Sequence, residues 1–117
     1  MIEYITDEEL ECNCGCGLRN TTPRHKSMLY TARELADMPF VITSGSRCEK
    51  HNKEVGGKSD SDHLTGEGTD IKCTMSGNRF IIIEAAIKAG FKRIGIGKTF
   101  IHLGSRESNP PRVMWLY

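Results

Sequence analysis

Long apolar runs and a surplus of charge of either sign are both absent from this sequence. Its apolar stretches are short, such as the run from Phe80 to Ile83, whereas a helix that spans a bilayer needs about 20 apolar residues. The formal net charge of +1 provides no positive surface for a polyanion. We therefore expect neither a membrane nor a nucleic acid as a partner.

We expect no signal peptide in this sequence. The N-terminal segment MIEYITDEEL is acidic and lacks the basic region followed by an apolar one that marks such a peptide. The sequence thus predicts a protein that is made in the cytoplasm and leaves it only if something else releases it.

The chain also lacks the length for two separate cores. With 117 residues, 38% of them hydrophobic and 26% charged, it has the ordinary proportions of one globular domain. We predict a single domain over residues 1–117 and favour a monomer.

The five cysteines are odd in number, which excludes a fully paired set of disulfides within one chain. Three of them lie in ECNCGCGL as Cys12, Cys14 and Cys16, and the others are Cys48 and Cys73. The close spacing fits a soft metal such as zinc, reduced thiols in a Gly-rich turn, or a disulfide. It lacks the C-x₂-C spacing of a zinc ribbon, so these three alternatives stay open.

Two longer helices are predicted from capping residues and apolar spacing. The first begins at Thr22-Pro23 and stops before Pro39, and the second is capped by Ser76 and ends at Gly90. A shorter polar helix is predicted over residues 47–54. The residues predicted to face the core are Met28, Leu29, Ala32, Leu35 and Ala36 in the first helix, and Phe80, Ile83, Ala86 and Ile87 in the second.

Strands are predicted from β-branched and aromatic runs between turn residues. The predicted strands cover residues 40–44, 69–73, 91–97, 99–104 and 112–117. Helices and strands are mixed without the regular strand–helix–strand rhythm of a parallel sheet. This order predicts an α+β fold with a small, mostly antiparallel sheet flanked by helices.

The stretch SDHLTGEGTD places a histidine and an aspartate at the two ends of a Gly-rich turn that leads into a strand. Imidazole and carboxylate are zinc ligands, and a catalytic zinc site takes three protein ligands and leaves one position for water. His63 and Asp70 supply two. We favour His102 as the third because it lies in the apolar strand TFIHL, although a histidine there also fits a hydrogen-bonded place in the core.

The segment SGSRCEKHNKEVGGKSDSDHLTGEGTDIKC resembles the signature region of the M15 zinc peptidases. This family of D-alanyl-D-alanine carboxypeptidases and phage endolysins shares a fold with the Hedgehog signalling domain. Its pattern S-x-H-x-x-G-x-A-x-D is matched by Ser61, His63, Gly66 and Asp70, with Gly68 in place of the alanine. Upstream, SG-x-R-x₃-HN-x₃-GG is matched through Arg47, His51 and Asn52. CNCGCGL is similar to a Cys-Gly turn of short phage and bacterial members, so the resemblance runs from about residue 11 to residue 106.

The resemblance implies a Hedgehog/DD-peptidase-like fold and a zinc ion bound by His63, Asp70 and His102. It further implies a carboxypeptidase or endopeptidase that acts on peptidoglycan stem peptides, of the kind phages use for cell-wall lysis. Such an enzyme would work at the cell wall after its release. Arg47 is expected to bind a substrate carboxylate, which its planar guanidinium suits. Ser61 is expected either to contact the substrate or to hold the loop.

The sequence departs from the family at the catalytic carboxylate. Family members place an acid a few residues before the last histidine or two after it, where this chain has Thr99 and Gly104. Glu107 is the nearest acid downstream and our candidate for the general base that a peptidase needs. The alternatives, which flank the first ligand, are Asp60, Asp62 and Glu67.

Two other functions stay open because of these departures. The first is a catalytically weak or inactive zinc-binding domain of the same fold, which binds a peptide or a protein partner. The second is a thiol-based metal or redox module that uses Cys12, Cys14 and Cys16.

Overall fold

The computed structural model describes residues 5–117, which form an α+β fold with a five-stranded mixed sheet. Its helices and strands, in chain order, are α1 (Pro23–Ala36), β1 (Ile42–Ser44), α2 (Glu49–Glu54), β2 (Gly68–Lys72), α3 (Ser76–Ala89), β3 (Arg93–Ile96), β4 (Phe100–Gly104) and β5 (Val113–Leu116). A 3₁₀ helix (Asp62–Thr65) precedes β2. Within this part of the chain, no helix combines the length and the apolar character that crossing a membrane requires.

The sheet has the strand order β1-β2-β4-β3-β5. Strand β5 pairs with β3 in parallel, and the other three pairs are antiparallel. The prediction of an α+β fold with a mostly antiparallel sheet is therefore confirmed. Each strand lies within its predicted range or extends past it by one residue, as β2 does at Gly68.

The two faces of the sheet differ because side chains alternate along each strand. On one face, β2 and β4 carry Thr69, Ile71, Ile101 and Leu103, all fully buried. The three apolar ones belong to the hydrophobic core that also contains the buried apolar residues of α1 and α3. Helices thus cover this face, and Asp70 of β2 and His102 of β4 lie on the opposite face.

Helix α1 matches its predicted extent. It begins where the Thr22 hydroxyl accepts the backbone N–H of His25 at 3.1 Å, and Pro23 occupies its first turn. Leu29, with Ala32 and Ala36, is buried as predicted. The prediction was wrong for Leu35, which is 52% exposed, because the buried stripe runs along the neighbouring side of the helix.

Helix α3 also matches its predicted extent, and Ala86 is buried as predicted, with Ile83 packed against the core. The predicted cap and the inward positions of Phe80 and Ile87 were wrong. The N-cap is Met75, whose side chain makes no capping hydrogen bond. Phe80 is 68% exposed and Ile87 is 55% exposed. The run of apolar residues in FIII surrounds the helix, so spacing alone could not select a face. Packing against α1 selects it, with the buried residues Ile82, Ala85 and Ala86.

His25 joins α1 to the sheet through a fully buried imidazole. Its Nδ1 lies 2.6 Å from the Ser105 hydroxyl and its Nε2 lies 2.8 Å from the Thr69 hydroxyl. Burial, followed by the nearby His102 and His63, lowers the pKa of His25 to about 3. The imidazole is therefore neutral in the folded protein at physiological pH.

We expect His25 to make the protein less stable as the pH falls. Its folded pKa of about 3 lies below the unfolded value of about 6.5, so the unfolded chain binds the extra proton between these values. Each pH unit in that range then costs up to about 1.4 kcal/mol. From pH 6 to pH 4.5, urea unfolding of metal-free protein should show the parent losing about 2 kcal/mol more than His25→Gln. Equal losses in the two proteins would contradict this assignment.

Candidate active site

A row of residues crosses the face of the sheet that lies opposite the helices. Ser44 of β1 pairs with Asp70 of β2, and Asp70 pairs with His102 of β4. His102 in turn pairs with Gly95 of β3, which pairs with Trp115 of β5. The register therefore makes Asp70 and His102 direct neighbours, although 32 positions separate them in the chain.

The 3₁₀ helix brings His63 to this row. Its Nε2 lies 3.2 Å from Oδ1 of Asp70, and Nδ1 of His102 lies 2.8 Å from the same oxygen. The two imidazole centroids are 4.9 Å apart. One ligand atom from each of the three residues lies within 4.8 Å of the others. The structure thus brings together all three residues predicted as metal ligands, and we call them the His/Asp/His cluster.

The hydrogen bonds of the two imidazoles fix which nitrogen faces this cluster. Nδ1 of His63 donates to the carbonyl oxygen of Gly45 at 2.7 Å, so Nε2 is the nitrogen that faces Asp70 and could bind a metal. Nε2 of His102 lies 3.0 Å from Oδ2 of Asp62 and donates to it, so Nδ1 faces the cluster. A partner on the outer nitrogen of each histidine is the usual arrangement around a metal site.

Asp62 has a role that the sequence analysis missed. Its side chain is 1% exposed, and besides His102 it accepts hydrogen bonds from Arg93 Nε at 3.0 Å and Asn109 Nδ2 at 2.8 Å. Burial opposes the charged carboxylate, but the hydrogen bonds from His102, Asn109 and Arg93 outweigh it and lower the pKa of Asp62. The Asp62 carboxylate is thus held ionised and orients His102.

Neighbouring groups also determine the direction in which the pKa values of Asp70 and His102 are shifted. Burial opposes ionisation of Asp70, yet its contacts with His102 and His63 outweigh this and lower its pKa. Burial likewise disfavours the imidazolium of His102, whereas hydrogen bonds to Asp62 and Asp70 raise its pKa. The carboxylates of Asp62 and Asp70 thus favour positive charge at this place, which a bound cation would also supply.

The carboxylate of Asp62 occupies the space that a side chain at position 104 would need. A Cβ atom at position 104 would lie 2.0 Å from Oδ2 of Asp62, a distance that excludes any other residue without a shift of that carboxylate. The acid that family members place two residues after the last histidine therefore cannot coexist with Asp62 in its present position. Restoring an acid by Gly104→Asp would displace Asp62 from His102.

Glu107, the predicted general base, does not reach the cluster. Its side chain is 79% exposed and lies 3.6 Å from Nη1 of Arg24. It lines a smaller cavity together with Ser105 and Pro111, and it is not among the residues that line the cavity over the cluster. The described contacts thus place Glu107 beside Arg24. In the turn after β4 it is Arg106 and Asn109 that approach the cluster, through hydrogen bonds to Asp60 and Asp62.

A cavity of about 490 Å³ lies over the His/Asp/His cluster. This volume is in the range of ligand sites, about 300 to 1,000 Å³. Its lining includes the charged side chains of Arg47 and Asp60 and the aromatic residues Trp115 and Tyr117. The absence of a side chain at Gly95 allows this, because a Cβ there would lie 2.7 Å from the Tyr117 ring and 2.8 Å from Trp115.

Arg47 lies in the wall of this cavity, close to the cluster. Its Nη1 donates to Asn52 Oδ1 at 3.0 Å, and its Nη2 donates to Ser44 Oγ at 3.2 Å and lies 3.9 Å from Oδ2 of Asp70. Nε is buried and has no hydrogen-bond partner among residues 5–117. Burial lowers the pKa of Arg47, but an arginine stays charged. The guanidinium is thus oriented by Asn52 and Ser44 beside the Asp70 carboxylate, and Nη1 and Nη2 each keep an N–H for an acceptor in the cavity.

Ser61 also lines the cavity, and its hydroxyl has a contact within the loop. Ser61 Oγ accepts the backbone N–H of His63 at 3.3 Å and caps the 3₁₀ helix. Two roles were predicted for Ser61, and this hydrogen bond supports the one in which it holds the loop. The contact helps to fix the position of the His63 backbone.

Comparison with known protein families gives one match. The peptidase M15 family model matches residues 3–104, a range that contains the cluster together with Arg47 and Ser61. The peptidases of this family are zinc-dependent. No curated protein sequence matches the chain at a significant level.

Proposed function

This chain belongs to the peptidase M15 family, and on that premise we propose that it is a zinc-dependent peptidase acting on peptidoglycan stem peptides. The observation that carries the proposal is the His/Asp/His cluster, three metal-binding groups within 4.8 Å of one another beneath a cavity of about 490 Å³. The mixed sheet with helices on one face further supports a fold of the Hedgehog/DD-peptidase type. A phage cell-wall lytic enzyme is the role that this fold and substrate favour.

The donor set of the cluster fits zinc. Two imidazole nitrogens and one carboxylate are a common ligand set for catalytic zinc, which keeps a further position for water or substrate. His63 and His102 already direct the correct nitrogen toward Asp70, so the site needs only a small adjustment to bind an ion. When bound, zinc would supply Lewis acidity that polarises a peptide carbonyl and lowers the pKa of water to about 7.

A peptidase also needs a group that accepts a proton from the attacking water, and we propose Asp60 for this role. Three acidic residues line the cavity, and the carboxylates of Asp62 and Asp70 are bound by histidines. The exposed Asp60 carboxylate has no hydrogen bond or ion pair with any residue from 5 to 117. Its backbone is fixed, because its carbonyl oxygen accepts from Arg106 at 2.9 Å and Asn109 at 2.8 Å.

The reaction then balances as an ordinary amide hydrolysis. Water forms a bond to the carbonyl carbon and gives one proton to the Asp60 carboxylate. The C–N bond of the substrate breaks, and Asp60 passes that proton to the leaving nitrogen. The second proton of the water also passes to the leaving nitrogen, so the products are a carboxylate and an ammonium group, and Asp60 ends the reaction as a carboxylate.

Arg47 is proposed to bind a carboxylate of the stem peptide through the N–H donors that Asn52 and Ser44 leave free. A planar guanidinium binds a carboxylate with two parallel hydrogen bonds, which an ammonium cannot reproduce. The position of Arg47 in the cavity wall, near Asp70, would place that carboxylate beside the cluster. Trp115 and Tyr117 would cover the apolar part of the same peptide.

We expect Arg47→Lys to weaken peptide binding without loss of zinc. A charge-assisted bidentate pair contributes about 1.5 to 3 kcal/mol, which corresponds to a loss of about 10- to 150-fold in affinity. Equilibrium binding of a stem peptide to parent and variant measures the loss, and metal analysis of both controls for the site. Lys58→Ala, which removes an exposed cation lining the same cavity, should change the affinity little. An Arg47→Lys protein with parental affinity would show that Arg47 has no part in recognition.

A binding domain without peptidase activity is the second candidate function. It is favoured by Thr99 and Gly104, neither of which is an acid, and by Asp62, whose carboxylate is engaged by three side chains. In that case the protein would bind zinc and the stem peptide but release no amine from purified peptidoglycan. Hydrolysis by the parent that is lost with a chelator would rule this function out.

The proposed peptidase activity also implies a partner, an oligomeric state and a place of action. The partner is the peptidoglycan peptide, with neither nucleic acid nor membrane involved, as the net charge of +1 supports. We propose that a single domain acts as a monomer. It would be made in the cytoplasm and would work at the cell wall after release.

A further inference from the structure

Four cysteines form a second cluster of possible metal ligands. The sulfur atoms of Cys12, Cys14, Cys16 and Cys48 all lie within 4.8 Å of one another. Cys14 Sγ lies 3.5 Å from that of Cys12 and 3.6 Å from that of Cys48. All four are free thiols. A tetrahedral zinc ion with Zn–S bonds of about 2.3 Å holds its sulfurs about 3.8 Å apart, close to these separations.

The fold builds this cluster from two distant segments. The CNCGC turn supplies three cysteines, and Gly15 within it has a φ of 85°, which folds the turn back on itself. Cys12 N–H donates to the Leu18 carbonyl at 2.9 Å and closes the turn. Cys48, 36 positions after Cys12, comes from the N-cap of α2. The missing fourth ligand is therefore present in space although the sequence shows no second pair.

Backbone N–H groups already point at two of the sulfurs. Cys48 N–H donates to Cys12 Sγ at 3.4 Å, and His51 N–H donates to Cys48 Sγ at 3.3 Å. Such donors orient thiolate ligands and compensate their charge. Cys14 and Cys16 are exposed to solvent, where unbound thiols would be open to oxidation. Both features suit metal-bound sulfurs.

We propose that Cys12, Cys14, Cys16 and Cys48 bind a second, structural zinc ion. Four thiolates in a tetrahedron form a closed site that has no open position for a substrate, unlike the His/Asp/His cluster. Soft sulfur ligands favour zinc over magnesium or calcium. The two clusters share no residue, so this site does not depend on the proposed peptidase activity.

The second zinc would fix the wall of the substrate cavity. It would join the N-terminal turn to Cys48, the residue after Arg47. The Arg47 N–H in turn donates to the carbonyl oxygen of His63 at 3.1 Å. The segment that carries Arg47 would thus be held at one end by the thiolate site and at the other by the loop of the His/Asp/His cluster.

Metal analysis of reduced protein tests this proposal. The parent should contain about two zinc ions per chain, and Cys14→Ser and Cys16→Ser should each contain about one. These two side chains are exposed, so their replacement leaves the core intact. Cys73→Ala controls for the loss of a thiol, because Cys73 is a buried free cysteine outside the cluster, and it should keep both ions. His63→Ala should lose the other zinc and keep the thiolate-bound one.

Substitution by cobalt(II) provides a second readout that does not depend on activity. The parent and His63→Ala should both show thiolate-to-cobalt charge-transfer absorption, and Cys14→Ser should lose most of it. One zinc per chain in the parent, unchanged in Cys14→Ser and Cys16→Ser, would overturn the proposal. A cobalt spectrum of the parent without thiolate absorption would overturn it as well.

Discussion

Replacing His63 by alanine is expected to abolish peptidoglycan hydrolysis and to remove one zinc ion per chain. The variant loses the ligand that joins the 3₁₀ helix to Asp70 and His102, and two remaining protein ligands hold zinc poorly. Lewis-acid stabilisation of the transition state amounts to several kcal/mol, so the rate should fall by at least about 10³-fold. Release of amine from purified peptidoglycan measures the rate, and metal analysis measures the zinc.

A matched histidine variant controls for folding and for general loss of imidazole. His51 lies on α2, where its ring is 4.0 Å from the Glu54 carboxylate, and it is not among the residues lining the cavity. His51→Ala should therefore keep both zinc and activity. Parental zinc content and activity in His63→Ala would contradict the assignment of the His/Asp/His cluster.

The second large effect is expected from Asp60→Asn. If Asp60 accepts the proton from water, its amide replacement should lower kcat by about two to four orders of magnitude while the zinc stays bound. The carboxylate is exposed and has no partner among the described residues, so folding should be unaffected. Measurement of kcat at saturating zinc separates this loss from a loss of metal.

Asp62→Asn is the variant that distinguishes the two aspartates. Because Asp62 orients His102, its replacement should lower the affinity for zinc by about 10- to 100-fold, with activity recovered at high zinc concentration. Full activity in Asp60→Asn, together with a loss in Asp62→Asn that zinc does not restore, would transfer the role of the base to Asp62.

The sequence was sufficient for the parts of the site that depend on local pattern. His63 and Asp70 stand out because a Gly-rich turn carries them, and His102 stands out because it interrupts an apolar strand. The predicted M15 family is confirmed by the match over residues 3–104. The pairing of β2 with β4 places Asp70 opposite His102. Spacing along the chain does not show which residues of two strands face each other, so this register could not be predicted.

The features of the site that the sequence did not predict depend on contacts between residues far apart in the chain. Asp62 meets His102 across 40 positions, and Cys48 meets Cys12 across 36, so no spacing rule shows either pair. Glu107 was chosen for its closeness to His102 in the chain, but the turn after β4 brings it to Arg24 instead. Phe80 and Ile87 were wrongly predicted to face the core because apolar residues surround α3, and its packing partner decides which of them is buried.

Hydrolysis of purified peptidoglycan before and after metal removal tests the central claim most directly. The zinc-loaded parent should release new amino groups, lose this activity on treatment with a chelator and regain it when zinc is added back. His63→Ala treated in the same way should stay inactive at every stage. A parent that binds zinc but releases no amino groups, or one whose hydrolysis survives the chelator, would contradict the account.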